Sequence, residues 1–226
     1  MVVLAVDTSG RHGGVALCRG DARNFELLSL SSLEGGTYSA RLIPAISDLL
    51  DSTGLTKSQI DGLVVVDGPG SFTGLRVGLS TVKALCEILE RPLATVSMLE
   101  ALAITFGNEG ETVTAVLDAG RGEVYVGEYR VASECASLVG QSIEKLEMFV
   151  KRTQSIQSRM VTTFPELAGA LAASSAVATV IDALEADAIA RIGLRKLLAG
   201  ETADPVTLDA NYIRRSDAEL FSLPKH

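Results

Sequence analysis

Residues that bind metals or form cross-links are scarce in this 226-residue sequence, which has three cysteines, two histidines and no tryptophan. Cys18, Cys86 and Cys135 lie far apart without a Cys-x-x-Cys spacing, and His12 and His226 form no ligand pair. These spacings argue against a structural zinc site and favour a reducing compartment. We therefore expect a chain without disulfides and without a bound metal.

Positive charge is also in short supply, since 20 Lys and Arg residues stand against 28 Asp and Glu, and the net charge is −8. A chain without a basic excess is not expected to bind DNA or RNA tightly by itself. A basic partner, or a partner that itself holds the nucleic acid, stays open. No apolar run approaches ~18 residues and the sequence begins as a strand, so we expect a cytoplasmic protein without a membrane segment.

The chain is organised around residues 60–90, which predict a strand, a glycine loop and a helix. Residues 63–66 are a short run of branched apolar residues, typical of a strand that is buried on both faces. The turn-forming sequence Asp67-Gly-Pro-Gly-Ser follows. From Thr73 onward, apolar residues recur every three or four positions, which indicates an amphipathic helix.

Two interpretations of the loop at Gly68, Gly70 and Ser71 stay open. Its backbone amides, at a helix N-terminus, can hold a phosphate or a carboxylate. Alternatively, the glycines only let the helix pack closely on its strand. The loop matches neither the P-loop motif nor the dinucleotide-binding motif, so the motifs do not decide between the two.

The beginning of the chain predicts a β-hairpin of residues 2–6 and 13–18, with Asp7, Thr8 and Ser9 in its turn. These side chains either hold a metal-bound phosphate or cap their own turn. The pattern returns after a boundary at residues 107–111, where an apolar strand ends in Asp118-Ala-Gly-Arg and a second strand leaves. This weak internal duplication predicts two similar halves.

The remaining patterns predict further elements in each half. In the first half they are a strand at 25–30, a helix at 38–50, a strand at 93–96 and a helix at 98–106. In the second half they are short helices at 142–151 and 164–171, a strand at 176–181 and a helix at 183–198 that stops at Gly200.

Four motifs together resemble the TsaB (YeaZ) family over nearly the whole chain. They are Asp7-Thr-Ser, Asp67-Gly-Pro-Gly-Ser-Phe-Thr-Gly-Leu-Arg-Val-Gly, Asp118-Ala-Gly-Arg-Gly-Glu-Val-Tyr and Tyr212-Ile-Arg. Many relatives carry a histidine near the start of the helix predicted at 38–50, where this chain has Thr37-Tyr-Ser. We therefore assign no chemistry to that helix.

The resemblance implies an α/β, actin-like (ASKHA) fold of two ribonuclease-H-like halves, each a mixed sheet flanked by helices, which agrees with the duplication. The halves are expected at residues 1–108, with the partner-binding helices, and 109–226, whose C-terminal end packs back on the first half. In such folds a nucleotide lies between the halves. The candidate contacts for a nucleotide or anion, vestigial or at a subunit interface, are Asp7, Thr8, Ser9, Gly68, Gly70, Ser71, Asp118, Arg121 and Glu123.

The resemblance implies that the chain is a non-catalytic scaffold or activator subunit of an enzyme complex. In the family, that complex transfers a threonylcarbamoyl group from threonylcarbamoyl-AMP to the adenosine next to the anticodon, in tRNAs that read codons beginning with A. The chain would pair with catalytic TsaD and with the ATPase TsaE, form a homodimer when alone, and meet tRNA only through the complex. It would need no cofactor of its own, with ATP or ADP at the complex interface. The expected interface residues are Leu42, Ile46, Leu49, Leu75, Arg76, Leu79, Val82 and Lys83.

Several alternatives accompany these expectations. The chain is otherwise a stand-alone ATPase or kinase of the same fold, or a glycoprotease-like peptidase, although a peptidase needs a nucleophile–base pair that two remote histidines do not offer. Turn capping explains the two aspartates, and a surface ion pair explains Arg121 and Glu123. Tyr212, Arg214 and Arg215 form a basic spot whose role, in docking tRNA or the partner, is left unassigned.

Overall fold

A computed structural model describes residues 1–153, 158–171 and 178–210, which form two five-stranded mixed sheets. The first sheet contains β1 (Val2–Asp7), β2 (His12–Gly20), β3 (Phe25–Glu34), β4 (Gly62–Gly68) and β5 (Leu93–Ser97). Its strand order is β3-β2-β1-β4-β5. The first three strands are antiparallel, whereas β4 and β5 run parallel to β1. A hairpin therefore opens the half, and crossover connections complete it.

The second sheet repeats this topology. It contains β6 (Thr112–Gly120), β7 (Glu123–Ala132), β8 (Cys135–Lys145), β9 (Arg159–Thr162) and β10 (Ala178–Val180). The order β10-β9-β6-β7-β8 is the order of the first sheet read from the other edge, with β6 in the place of β1. The antiparallel and parallel pairings recur at the same places. The duplication predicted from two short motifs is thus confirmed at the level of whole sheets.

Six helices connect and cover the sheets in the described part of the chain. They are α1 (Tyr38–Thr53), α2 (Phe72–Leu89), α3 (Met98–Phe106), α4 (Leu146–Thr153), α5 (Pro165–Leu171) and α6 (Ala186–Leu198). A single 3₁₀ turn, Lys57–Gln59, precedes β4. The prediction of a helix at 142–151 is wrong in its first part, because β8 continues to Lys145 and α4 begins only at Leu146. Sequence reasoning also missed β9 and the whole of β8.

The missed strand β8 has a physical explanation. It lies at the edge of its sheet, and most of its residues are exposed. An edge strand with little burial on either face carries no alternation of apolar and polar residues, so periodicity gives no signal.

Both faces of the first sheet are covered. The consecutive residues Val3–Val6 of β1 and Leu63–Val66 of β4 are all buried, and consecutive strand residues point to opposite faces. Helices α1 and α2 cover one face, and α6 packs across all five strands. A side chain at Gly193 of α6 would overlap Val64, which shows how closely this helix lies on the sheet.

Helix α3 lies between the two sheets, and nearly all of its apolar residues are buried. A smaller apolar cluster under α4 and α5 includes Phe149 and Leu167. None of the described helices is long and apolar enough to cross a membrane.

The segment after α6 returns to the first half. Ala203 pairs with Leu93 of β5, and Lys83 Nζ of α2 donates to the Leu208 carbonyl at 2.7 Å. Residues 211–226, with Tyr212, Arg214 and Arg215, lie outside the described residues, and so does the predicted packing of the C-terminal end. The boundary between the two halves, placed after residue 108 from the sequence, stays a prediction.

Candidate functional site: a cleft between the two sheets

The turn between β1 and β2 is buried, and its polar groups bind one another and α2. Ser9 donates to Asp7 Oδ1 through both its backbone amide (2.8 Å) and its hydroxyl (2.7 Å). The Thr8 hydroxyl donates to the Gly74 carbonyl at 2.8 Å. Tyr38 OH of α1 donates to the Gly10 carbonyl at 3.0 Å. Turn capping, one of the two interpretations of this motif, accounts for the two Ser9 bonds, and the other two bonds tie the turn to α1 and α2.

The glycines of the loop and of α2 let the helix approach this turn. A Cβ atom at Gly70 would overlap the Ser9 carbonyl oxygen, and one at Gly74 would overlap the Thr8 carbonyl oxygen. The Ser71 amide donates to the Ser9 carbonyl at 2.6 Å, and Ser71 Oγ caps α2 by accepting from the Gly74 amide. Close packing thus explains these glycines, whereas anion binding by the loop stays a prediction.

Asp7 combines deep burial with an unused hydrogen-bonding atom. The residue is 1% exposed, and its Oδ2 has no hydrogen-bond partner among the residues that the structure describes. Burial raises the pKa of this carboxyl from its ordinary 3.8 to about 6, against the opposing effect of the two Ser9 hydrogen bonds. An acid kept at such a cost is typical of a functional or formerly functional site.

The matching turn of the second sheet is different. Asp118 is exposed, and its Oδ1 accepts a hydrogen bond from the Gly120 amide at 2.8 Å. Gly120, Arg121 and Gly122 all have positive φ angles of 57–74°, so the turn is tightly wound. Arg121 is exposed and Glu123 is half-buried. The duplication therefore places one aspartate in the core and its counterpart at the surface.

A cleft of about 1250 Å³ separates the two turns, and both halves line it. The structure brings Asp7, Ser9, Gly70, Ser71 and Asp118 together on its walls. The other predicted contacts, Thr8, Gly68, Arg121 and Glu123, do not line it. Sequence reasoning missed Arg11 and His12, although they follow directly in the same turn as Asp7 and Ser9. It also missed lining residues from distant segments that no motif joins, namely Tyr38, Met98, Phe164, Glu166 and Asp182.

The chemistry of the cleft wall is mainly acidic. Glu166 and Asp182 add to Asp7 and Asp118, and the basic residues that line the cleft are Arg11 and His12. In the described part of the chain, no three His, Cys, Asp or Glu side chains come together in a group that could hold a metal ion. Binding of a metal-bound phosphate by Asp7 and Asp118 stays a prediction.

Most of the residues predicted at a partner interface are not exposed to solvent. Six of them are buried within this chain, between 0% and 7% exposed: Leu42, Ile46, Leu49, Leu75, Leu79 and Val82. They are the inner faces of α1 and α2, packed on the first sheet, so a partner cannot contact them on this surface. Lys83 is half-buried and holds the Leu208 carbonyl. Only Arg76 is exposed, with its guanidinium 3.7 Å from the centre of the Phe72 ring.

The surface of α2 carries a different set of side chains. Residues spaced four apart along its length are all exposed: Phe72, Arg76, Ser80, Ala84 and Ile88. Ile88 is 68% exposed, and Phe72 and Arg76 line a shallow depression at the beginning of the helix. We call these five residues the outer stripe. Ile43 of α1 is another large apolar side chain in contact with solvent.

Comparison with known proteins gives consistent sequence matches. The model of the TsaD family, tRNA N6-adenosine threonylcarbamoyltransferase, matches residues 35–196. The tRNA threonylcarbamoyladenosine biosynthesis protein TsaB of Escherichia coli is 33% identical over 169 residues, which are 72% of this chain and 70% of that protein. The TsaB protein of Bacillus subtilis is 35% identical over 130 residues, 58% of this chain and 56% of that protein.

The chain spans about half the length of the Bacillus subtilis relative and of the Haemophilus influenzae TsaB protein, of which it covers 56% and 52%. Among solved structures, YeaZ from Pseudomonas aeruginosa superimposes with a TM-score of 0.78 and 25% identity, covering 94% of this chain and all of that chain. The activator of the 2-hydroxyisocaproyl-CoA dehydratase from Clostridium difficile, with bound ADPNP, matches with a TM-score of 0.51 and 12% identity. With the repeated sheets, these similarities confirm the predicted actin-like α/β fold.

Proposed function

The chain belongs to the TsaB (YeaZ) family, and from that premise we propose that it serves in the formation of threonylcarbamoyladenosine in tRNA. The observation that carries this proposal is the match to proteins named for that pathway, which includes 70% of the Escherichia coli TsaB protein. The match of residues 35–196 to the TsaD family model adds support, because it links the same residues to threonylcarbamoyl transfer.

Within that pathway, the role we propose is that of a non-catalytic scaffold and activator. Catalytic TsaD would transfer the threonylcarbamoyl group, the ATPase TsaE would join the complex, and tRNA would reach this chain only through the complex. The occupied hydrogen bonds of the first turn support this division. Thr8 is bonded to Gly74 and Ser9 to Asp7, so the groups that would grip a phosphate are used by the chain itself.

The partner surface, in this proposal, is the outer stripe of α2. Its apolar members and Arg76 are exposed to solvent, whereas the inner residues are buried in the core. An exposed apolar stripe on a helix is typical of a protein–protein interface. The same surface would join two copies when the chain is alone in the cytoplasm, and ATP or ADP would bind at the interface with TsaD.

Co-purification with TsaD from the same organism tests this surface. Ala84→Glu places a charge in the middle of the outer stripe, at an exposed position that the core does not use. We expect this variant to lose TsaD in a pull-down while it keeps its thermal unfolding temperature. Leu138→Glu is the matched control, because Leu138 is an exposed apolar residue on β8 of the other sheet. If Ala84→Glu retains TsaD as well as the control does, the outer stripe is not the interface.

The cleft favours a second candidate function, nucleotide hydrolysis by the chain itself. Its volume of about 1250 Å³ and the two aspartates on its walls are the features that support it. Assays of the purified chain for ATP hydrolysis and for casein cleavage separate the candidates. The scaffold proposal expects neither reaction without TsaD. Steady ATP hydrolysis by the purified chain that is lost in Asp7→Asn would contradict the scaffold proposal and support nucleotide hydrolysis by the chain itself.

A further inference from the structure

Several polar side chains are buried together where the two sheets meet. They are Asp67 at the end of β4, Ser97 at the end of β5, Glu100 on α3, Tyr129 on β7 and Lys196 on α6, and we call them the junction cluster. Lys196 Nζ donates to Glu100 Oε2 at 2.7 Å and to the Thr95 carbonyl at 3.3 Å. Both side chains of this ion pair are largely buried, at 22% and 14% exposed.

Tyr129 brings the second sheet into this cluster. It is 4% exposed, and Ser97, Glu100 and Asp67 lie close enough to affect the ionisation of its hydroxyl. Ser97 Oγ and Asp67 Oδ1 are buried and have no hydrogen-bond partner among the residues that the structure describes. The pKa of Tyr129 is raised, chiefly because burial disfavours the phenolate. The pKa of the Asp67 carboxyl is also raised by burial, against the opposing effects of Thr95 and Lys196. The cluster is therefore a polar network inside the protein rather than a set of surface contacts.

Two further contacts tie the same elements together. A Cβ atom at Gly127, two residues before Tyr129 on β7, would lie 3.2 Å from Leu99 Cβ, so β7 presses directly on α3. Arg195, the neighbour of Lys196, forms an ion pair with Glu134 in the turn between β7 and β8. Helix α6 packs on the first sheet, yet two consecutive cations near its end hold α3 and the second sheet.

The cluster lies close to the cleft along the chain. Met98 lines the cleft, Ser97 directly precedes it, and Glu100 follows two residues later on α3. Opening the cleft by rotating one sheet against the other would pull Tyr129 away from Ser97 and expose the Lys196–Glu100 pair. Separating the Lys196–Glu100 pair is costly because a largely buried charge is then left without its partner.

We propose that the junction cluster is a latch that fixes the angle between the two sheets, so that the cleft keeps one width instead of opening and closing about α3. Two-domain proteins that close around a ligand need a hinge of a few residues that can change their backbone angles. Here the chain passes between the halves through the buried helix α3 and again between β10 and α6, and the latch joins α3 to α6 through the Lys196–Glu100 pair. The cleft wall is then a fixed surface of the scaffold.

Distances between two spin labels, one on each half, test the latch. Ser32→Cys on β3 and Ser137→Cys on β8 place the labels at exposed positions outside the outer stripe. The chain also carries Cys135→Ser, so that the two remaining native cysteines, Cys18 and Cys86, are buried. We expect one narrow distance distribution in this background. The double variant Lys196→Met, Tyr129→Phe is expected to broaden the distribution and to add a population at a different distance.

Arg152→Met is the control, because Arg152 bonds Glu128 and Glu144, which belong to the second half and not to the latch. Its distribution should match that of the background. Tyr129→Phe alone keeps the ring and removes only the hydroxyl, so it provides a folded variant if the double variant does not fold, and it should broaden the distribution to a smaller extent. A broad distribution in the background, or a narrow one in a folded latch variant, would overturn the proposal.

Discussion

Replacing Asp7 by asparagine is expected to stabilise the protein at neutral pH. The carboxyl is 1% exposed and its pKa is raised from 3.8 to about 6, because burial penalises the charged form. Each pKa unit corresponds to about 1.4 kcal/mol, so the ionised carboxylate costs about 3 kcal/mol of folding free energy. Asparagine keeps an oxygen for the two Ser9 donors and carries no charge. The new NH₂ group of asparagine takes the place of Oδ2, where no hydrogen-bond acceptor is found among the described residues, and this lowers the benefit. We therefore expect the free energy of unfolding to rise by about 1 to 3 kcal/mol.

The pH dependence gives the sign of this effect. Between pH 3.8 and about 6 the folded protein keeps the Asp7 proton while the unfolded chain has lost it. The folded state therefore binds more protons in this range, and the contribution of Asp7 to stability falls as the pH rises. The contribution is fully present below pH 3.8 and is lost above about pH 6. In Asp7→Asn this fall disappears, so parent and variant diverge as the pH rises through this window.

Urea denaturation at a series of pH values from 4 to 8 measures the effect. Asp118→Asn is the matched control, since Asp118 occupies the corresponding turn of the second sheet but is exposed. We expect this control to follow the parent closely across the range. If Asp7→Asn is less stable than the parent at pH 8, or if the difference does not grow with pH, the carboxylate is not a burden on folding and has a partner that compensates for its burial.

Two further predictions concern packing and are measured by thermal or urea denaturation. Gly74→Ala should destabilise the protein by about 1 to 3 kcal/mol or more, because the new Cβ overlaps the Thr8 carbonyl oxygen. Its control is Gly169→Ala on α5, which has open space around it and should be neutral or slightly stabilising. Equal effects of the two substitutions would contradict the argument. Leu79→Glu should destabilise by more than about 3 kcal/mol because it buries a charge, whereas Ile88→Glu on the outer stripe should leave the midpoint near that of the parent. A Leu79→Glu protein that unfolds like the parent would show that α2 does not pack as described.

The local pattern of the sequence was sufficient for the strongly periodic elements. The hairpin of β1 and β2, the strand β4, the glycine loop and the helix α2 follow from short apolar runs and turn residues that each carry their own signal. The motif Asp118-Ala-Gly-Arg was enough to predict that the second half repeats the first. Strands β8 and β9 could not be found in this way, because one is an exposed edge strand and the other has only four residues.

The two sides of α1 and α2 show what the periodicity of apolar residues cannot predict. An apolar stripe such as Leu75, Leu79 and Val82 predicts that one side of a helix is covered, but it does not say whether the chain or a partner covers it. The tertiary structure places that side on the sheet and leaves Phe72, Ala84 and Ile88 outside.

The sequence by itself determined the two-fold repeat, the order of the main strands and helices and the turn chemistry at Asp7 and Asp118, because these depend on neighbouring residues. Only the tertiary structure decided that Asp7 is buried while Asp118 is exposed, and that Tyr129 and Lys196 meet Glu100 and Ser97 between the sheets. Residues from β4, β5, α3, β7 and α6 come together there through packing of the two halves. No short-range pattern encodes a contact between residues so far apart in the chain.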